Sequence, residues 1–263
     1  MFIKDNLYIV FIILFLIFFT FNQFDLARKI RSVFISKKKF EEYDSFLKQY
    51  FSYYRSLSEK DKKRFIFRVH TLIQWIRVIG KQGIKVTDQM KLHVIVSQVQ
   101  LTFGYRKYVL PHFRTVFIFP GTYRNLLTGK LHDGEVNPSG LIIYSWKKLQ
   151  DGYLNSSDNI NLGLHEMAHA LIITIIKTNE HDNDMGYFLT QFIKLSESEI
   201  QKIRNKETHL FRKYAGENKY EFFAIAVEHF FETPKSFKEE LPSLYMYMTK
   251  LLKQDPTINK YRL

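Results

Sequence analysis

The 263-residue chain contains no cysteine. That excludes disulfides, thiolate metal sites and cysteine nucleophiles, so any metal site must be built from His, Asp or Glu. Proline and glycine are sparse, at 6 and 11 residues, which excludes collagen-like and Pro/Gly-rich low-complexity chains. Charged residues make up 25% of the chain against 46% hydrophobic and 16% aromatic. This balance is unlike that of a disordered chain, and the length suits one large domain with an ordinary core. The sequence has no zinc-finger spacing, RNP-type motif or arginine-rich block in its body, so nucleic acid is not an expected partner despite a net charge of +13.

What the chain does have begins near its amino terminus. Leu7 to Phe21, LYIVFIILFLIFFTF, is apolar apart from Tyr8 and Thr20. At a rise of about 1.5 Å per residue the run covers roughly 22 Å, short of a hydrocarbon core of about 30 Å. Phe2, Ile3, Phe24 and Leu26 extend it on both sides. A cleaved signal peptide needs a basic start and a small-x-small cleavage site, whereas a single Lys4 precedes this run and FNQFDLARK follows it. An uncleaved anchor is the better reading. Arg28, Lys29, Arg31 and Lys37 to Lys39 follow the run, and basic flanks stay on the cytoplasmic side. We therefore expect a single-pass protein of the cytoplasmic membrane, with residues 1–27 as anchor and residues 28–39 as a basic juxtamembrane linker drawn to anionic lipid. Residues 40–263, with a net charge of +8, would form one domain facing the cytoplasm.

Within that domain, residues 40–80 read as two helices. One carries Tyr43, Leu47, Tyr50 and Tyr54, and the other Phe65, Val69, Leu72 and Ile76, at helical spacing. The aromatic stripe is assigned to the core rather than to a ligand surface. Thr87 or Asp88 can cap a further helix running to about Gly104, on which His93 is expected to be structural. RTVFIF at 114–119 and LIIYSW at 141–146 read as strands separated by a turn-rich stretch. DGYLNSSDN reads as a loop, whose Ser157 or Asp158 can cap the next helix. The fold class implied is α+β, mainly helical with a small sheet.

The helix after that loop carries the sharpest signal, NLGLHEMAHAL at 161–171. His165 and His169 are four residues apart, so on a helix both imidazoles project from one face and can reach one ion. Two neutral nitrogens bind a Lewis acid without cancelling its charge, and the neighbouring Glu166 can accept a proton from water. The bland alternative is a pair of polar residues on a solvent-facing helix. Leu162, Leu164, Met167, Ala168, Leu171 and Ile172 argue against it, because they make most of this helix apolar. Buried polar groups need partners, and metal ligation supplies them.

A hydrolytic metal site needs a third protein ligand and an open position. His181, His209, Glu217, Glu221, Glu228 and His229 all lie downstream. HDND at 181–184 reads as a hydrophilic loop between helices. A helix from Tyr220 to Phe231, ended by Thr233-Pro234, places Glu221 and Glu228 seven residues apart on one face. Spacing alone does not choose between them.

Five segments in fixed order resemble the Mlc titration factor A family of zinc-dependent peptidases. They are VTDQMKLHVIVSQ at 86–98, TVFIFPGTY at 115–123, GEVNPSGLIIYSW at 134–146, NLGLHEMAHAL at 161–171 and YAGENKYEFFAIAVEHFFETP at 214–234. The resemblance implies a zincin-like metallopeptidase domain similar to that of lethal-factor-type toxins. It implies one zinc ion per chain held by His165, His169 and Glu221, with Glu166 as general base and Tyr214 stabilising the oxyanion. Glu228 would then support the site without binding the metal. The chain departs from the family pattern after Leu171, where an apolar helix continues and HDND follows.

The expected activity is therefore hydrolysis of a peptide or protein substrate lying along LIIYSW, by a membrane-anchored zinc peptidase. The alternative is a membrane-tethered binding module of the same fold that captures a regulatory protein.

Overall fold

A computed structural model describes residues 35–125, 129–177 and 183–258. The expected anchor at 1–27 lies outside the described residues, as does most of the linker. Among the described residues no helix is long and apolar enough to cross a membrane.

The first third of the domain is helical, and its boundaries follow local chemistry. Helix α1 (Lys37–Tyr50) starts at Ser36, whose hydroxyl accepts from the Lys39 N–H. It stops where Phe51 turns extended, and a short α2 (Ser52–Ser56) follows. Helix α3 (Glu59–Trp75) is capped by Ser58 and carries Glu59 and Asp61 in its first turn, where the helix dipole favours acids. The two expected helices are thus three helical pieces. The end of that region is a strand, β1 (Arg77–Gly80), because Ile76, Val78 and Ile79 favour extended backbone and find a partner strand to pair with. Thr87 caps α4 (Asp88–Leu101), as expected, by accepting from the Met90 N–H. His93 on α4 is buried among Phe46, Phe51 and Trp146, with Nδ1 2.9 Å from the Gln89 carbonyl oxygen, the structural role assigned to it.

The expected strands are present as β2 (Thr115–Phe119) and β6 (Leu141–Ser145). The turn-rich stretch between them contains three more, β3 (Tyr123–Arg124), β4 (Leu131–His132) and β5 (Gly134–Asn137). The main sheet has the order β1-β2-β6-β5, with β1, β2 and β6 parallel and β5 antiparallel to β6. The turn from β5 to β6 requires Gly140, at φ 100°, where a Cβ would also strike the His112 carbonyl oxygen. One expectation fails here. A substrate cannot pair along LIIYSW, because β6 already has β2 on one side and β5 on the other. Among the described residues, β5 is an edge strand with no strand paired on its other flank.

Ser145 caps α5 (Trp146–Leu154), so half of the expected loop DGYLNSSDN is helix. Neither Ser157 nor Asp158 caps the next helix. Asn161 does, its side-chain oxygen accepting from the Leu164 N–H at 3.0 Å at the start of α6 (Leu162–Lys177). After α7 (Asn183–Arg204) and a 3₁₀ turn (Lys213–Gly216) comes α8 (Lys219–Glu232), capped by Asn218. Helices α9 (Pro234–Glu240) and α10 (Pro242–Leu252) each start at a proline, whose missing N–H costs nothing there. Helices α6 and α8 pack side by side in the centre of the molecule. The small residues Ala168, Ala170, Ala224 and Ala226, all fully buried, belong to these two helices. This packing brings the His helix and the Glu helix together.

Candidate metal centre

On α6, His165 and His169 project from one face one turn apart, and their Nε2 atoms lie 3.2 Å from each other. Helix α8 presents Glu221 to both. Its Oε2 is 3.0 Å from His165 Nε2 and its Oε1 is 3.4 Å from His169 Nε2. One donor atom from each of the three residues falls within a 4.8 Å cluster. Ligands at about 2.0–2.1 Å from a tetrahedral ion stand roughly 3.3 Å apart, so the spacing suits a small divalent cation. The donor chemistry suits it too. Burial disfavours charge on His165, yet hydrogen bonds to Glu221 and Glu228 raise its pKa to about 10. Burial likewise opposes charge on Glu221, and the two histidines overcome it, lowering that pKa to about 2. The cluster draws positive charge inward, which a metal ion satisfies more fully than a proton.

Glu228, two turns further along the same stripe of α8, occupies the other side of His165. Its Oε1 lies 2.9 Å from Nδ1 of that ring, and its side chain is 1% exposed. Both expected carboxylates therefore meet one histidine, Glu221 at the nitrogen facing the cluster and Glu228 at the far one. Arg212 donates to both oxygens of Glu228, at 3.1 Å to Oε1 and in a closer contact to Oε2. Arg212 also donates to the Asn159 carbonyl. This arginine was not singled out by the sequence, because no motif marks an ion pair across sixteen residues.

Glu166 on α6 is buried at 5% exposure, facing the cavity in front of the three donors. Burial is the largest influence on it and, with Glu221 and Glu135 nearby, raises its pKa to about 6 despite the two histidines. Gly134 on β5 passes directly over it. A Cβ there would lie 2.4 Å from Glu166 Oε1 and 2.7 Å from Leu162 Cδ1, so glycine lets the backbone approach the carboxylate without displacing it. Tyr214 reaches the site from the 3₁₀ turn, its ring centroid 6.3 Å from that of His165, and is 45% exposed. Burial and Glu221 push its hydroxyl up to about 12, so it keeps its proton at neutral pH.

The remaining candidates stand elsewhere. His209 pairs with Glu199 at 3.1 Å, and His229 packs on Phe211 with ring centroids 4.7 Å apart. Glu217 is exposed at the end of the 3₁₀ turn, and His181 lies outside the described residues. Two cavities meet at Glu166 and His165. One, of about 470 Å³, follows β5 and α6 toward Ile176, and the other, of about 400 Å³, runs toward Asp158 and Arg212.

Similarity to known proteins agrees with this arrangement. The chain is similar to the Mlc titration factor A of Serratia proteamaculans, 23% identical over 232 residues that cover 79% of this chain and 85% of the relative. The protein of the same name from Yersinia enterocolitica is 24% identical over 224 residues, covering 76% and 81%. That of an Escherichia coli O127:H6 strain is 23% identical over 229 residues, covering 76% and 82%. The resemblance seen in the five sequence segments is thereby borne out. Residues 26–253 match the model of the glucose-regulated metallo-peptidase M90, and the chain belongs to that family.

Proposed function

We propose that the protein is a zinc-dependent peptidase, with residues 40–263 as its catalytic domain. The observation that carries this reading is the convergence of His165, His169 and Glu221 beside a buried Glu166, next to the open edge of β5. Membership of a metallopeptidase family supports the same conclusion. A zinc ion held by the three ligands would act as a Lewis acid and bring the pKa of a water there to about 7. Glu166 takes a proton from the attacking water and returns it to the leaving nitrogen. Tyr214 donates its hydroxyl hydrogen to the carbonyl oxygen as negative charge develops. The free flank of β5 offers backbone groups to an extended peptide added as a further strand.

In this proposal residues 1–27 tether the enzyme to the cytoplasmic membrane, residues 28–39 lie at its surface, and the domain faces the cytoplasm. The apolar run and the basic residues after it support this. A reporter fused after Leu263 and found outside the membrane would reverse the orientation.

The test is made on the full chain. Elemental mass spectrometry should find about one zinc per chain in the parent and none in Glu221→Ala. Glu166→Gln should keep the zinc and lose peptide hydrolysis. Hydrolysis at the parental rate by that variant would sink the assignment.

A second reading has one observation in its favour, the name Mlc titration factor A carried by the relatives. On that reading the domain captures a regulatory protein, with or without a structural metal. Binding alone gives no reason for a carboxylate to be buried beside the three donors, and so the peptidase is preferred.

A further inference from the structure

The stripe of α6 that carries His165 and His169 continues past the donors as Ile172, Ile173 and Ile176, three, four and seven residues beyond His169. These three, with Val136, Pro138 and Tyr220, line the 470 Å³ cavity on the side away from Asp158. Most of α6 is buried, yet Ile176 is 62% exposed and Tyr220 is 41% exposed at the mouth of the groove. Among the described residues no lysine or arginine lines this cavity, whereas Glu135, Glu166 and Glu221 do, and Lys177, which is not in the lining, donates to the Pro138 carbonyl oxygen. An acidic side chain entering it would lose water against the apolar stripe and beside Glu135. An apolar one would cover surface that the fold leaves bare. The groove also lies along β5, whose open flank can hold an extended chain so that alternate side chains point toward α6.

We infer that Ile172, Ile173 and Ile176, with Val136, Pro138 and Tyr220, form the subsite that selects an aliphatic or aromatic side chain next to the bond to be cleaved. This rests on the peptidase reading and gives it a substrate class, namely extended peptides with a large apolar residue beside the scissile bond. Apolar pockets discriminate modestly against other apolar groups but strongly against charge, so the contrast to seek is between apolar and acidic side chains.

The experiment uses the zinc-loaded full chain and four short hydroxamates, whose metal-binding head is constant and whose side chain is isobutyl, benzyl, carboxyethyl or aminobutyl. Calorimetry measures Kd for each. The isobutyl and benzyl compounds should bind roughly tenfold or more tighter than the carboxyethyl compound. Ile176→Asp should bring the isobutyl and carboxyethyl compounds close together while leaving zinc content unchanged, and Ile176→Leu should keep the parental order. Ile176 is exposed enough for these variants to fold. If all four bind the zinc protein equally, or if Ile176→Asp leaves the ratio unchanged, the subsite assignment is overturned and the metal site stands. If the chain takes up no zinc, or binds none of the four when loaded, the peptidase reading and the subsite fall together.

Discussion

Glu228 holds the far nitrogen of His165, with Oε1 2.9 Å from Nδ1, while the near nitrogen faces Glu221. A carboxylate accepts, so Nδ1 presents its hydrogen to Glu228, and a metal ion at the cluster would take the lone pair of Nε2 in place of the hydrogen that Nε2 otherwise shares with Glu221. Arg212 fixes Glu228 in place by donating to both of its oxygens. The carboxylate thus orients the ring and makes its free nitrogen a better ligand. Glu228→Gln should weaken metal binding by about 10- to 100-fold with the fold intact. Competition with a chromophoric chelator reads this directly, and equal affinity in parent and variant would remove Glu228 from the site.

The sequence makes the His pair, Glu166 and the facing helix with Glu221 and Glu228 legible, because all of them depend on helical periodicity. Helix spacing puts His165 beside His169 and Glu221 on the stripe of Glu228 without knowledge of the packing. Spacing cannot tell that the two acids would flank one imidazole, since that depends on how α6 and α8 lie against each other. Strands β1, β3, β4 and β5 were hidden for a different reason. They are two to four residues long, too short to show alternation, and they exist because longer neighbours offer hydrogen bonds. Missing β5 moved the expected peptide track onto β6, an interior strand. Asn161 was passed over as the cap of α6 because Ser157 and Asp158, equally good capping residues, precede it in the same loop.

Gly134 matters for the carboxylate beneath it rather than for its own backbone angles. Replacing it with alanine places a methyl group 2.4 Å from the position of Glu166 Oε1, so the carboxylate must move. Misplacement of a reacting group by about 1 Å costs on the order of 100-fold in rate. Gly134→Ala should therefore lower kcat by about that factor while zinc content stays at the parental level, because the atoms nearest the new methyl belong to Glu166 and Leu162 rather than to a ligand. Steady-state kinetics beside elemental analysis checks both halves, and an unchanged kcat would mean that Glu166 needs no fixed position.

Tyr214 is half exposed and its hydroxyl has no hydrogen-bond partner among the described residues, so Tyr214→Phe should change stability by less than about 0.5 kcal/mol. Its effect should fall on turnover. A donor that acts only when the oxyanion forms contributes about 100-fold or more to kcat and little to KM. A raised KM with kcat unchanged would make Tyr214 a substrate-binding residue instead.

His229 sits on α8 behind the metal site, 3% exposed against Phe211, with Nδ1 3.2 Å from the Thr233 hydroxyl oxygen. Burial, aided by the positive charge of Arg212, lowers its pKa to about 4. The unfolded chain binds the proton near pH 6.5 and the folded chain resists it until about pH 4, so this group's stabilising contribution is full above the first value and is lost as pH falls toward the second. Between pH 6.5 and 5 the loss amounts to about 2 kcal/mol. Glu232, whose pKa burial raises to about 7, has the opposite slope and is most stabilising at low pH, so the parent's profile is partly levelled by the two together. Removing the imidazole should unmask the glutamate. In a chelator-containing buffer, so that metal release adds nothing, His229→Phe should lose less stability than the parent on going from pH 6.5 to 5, by about 2 kcal/mol in urea melts. Parallel profiles for the two proteins would mean that His229 takes up its proton without unfolding cost, and that the acid sensitivity of this domain lies elsewhere.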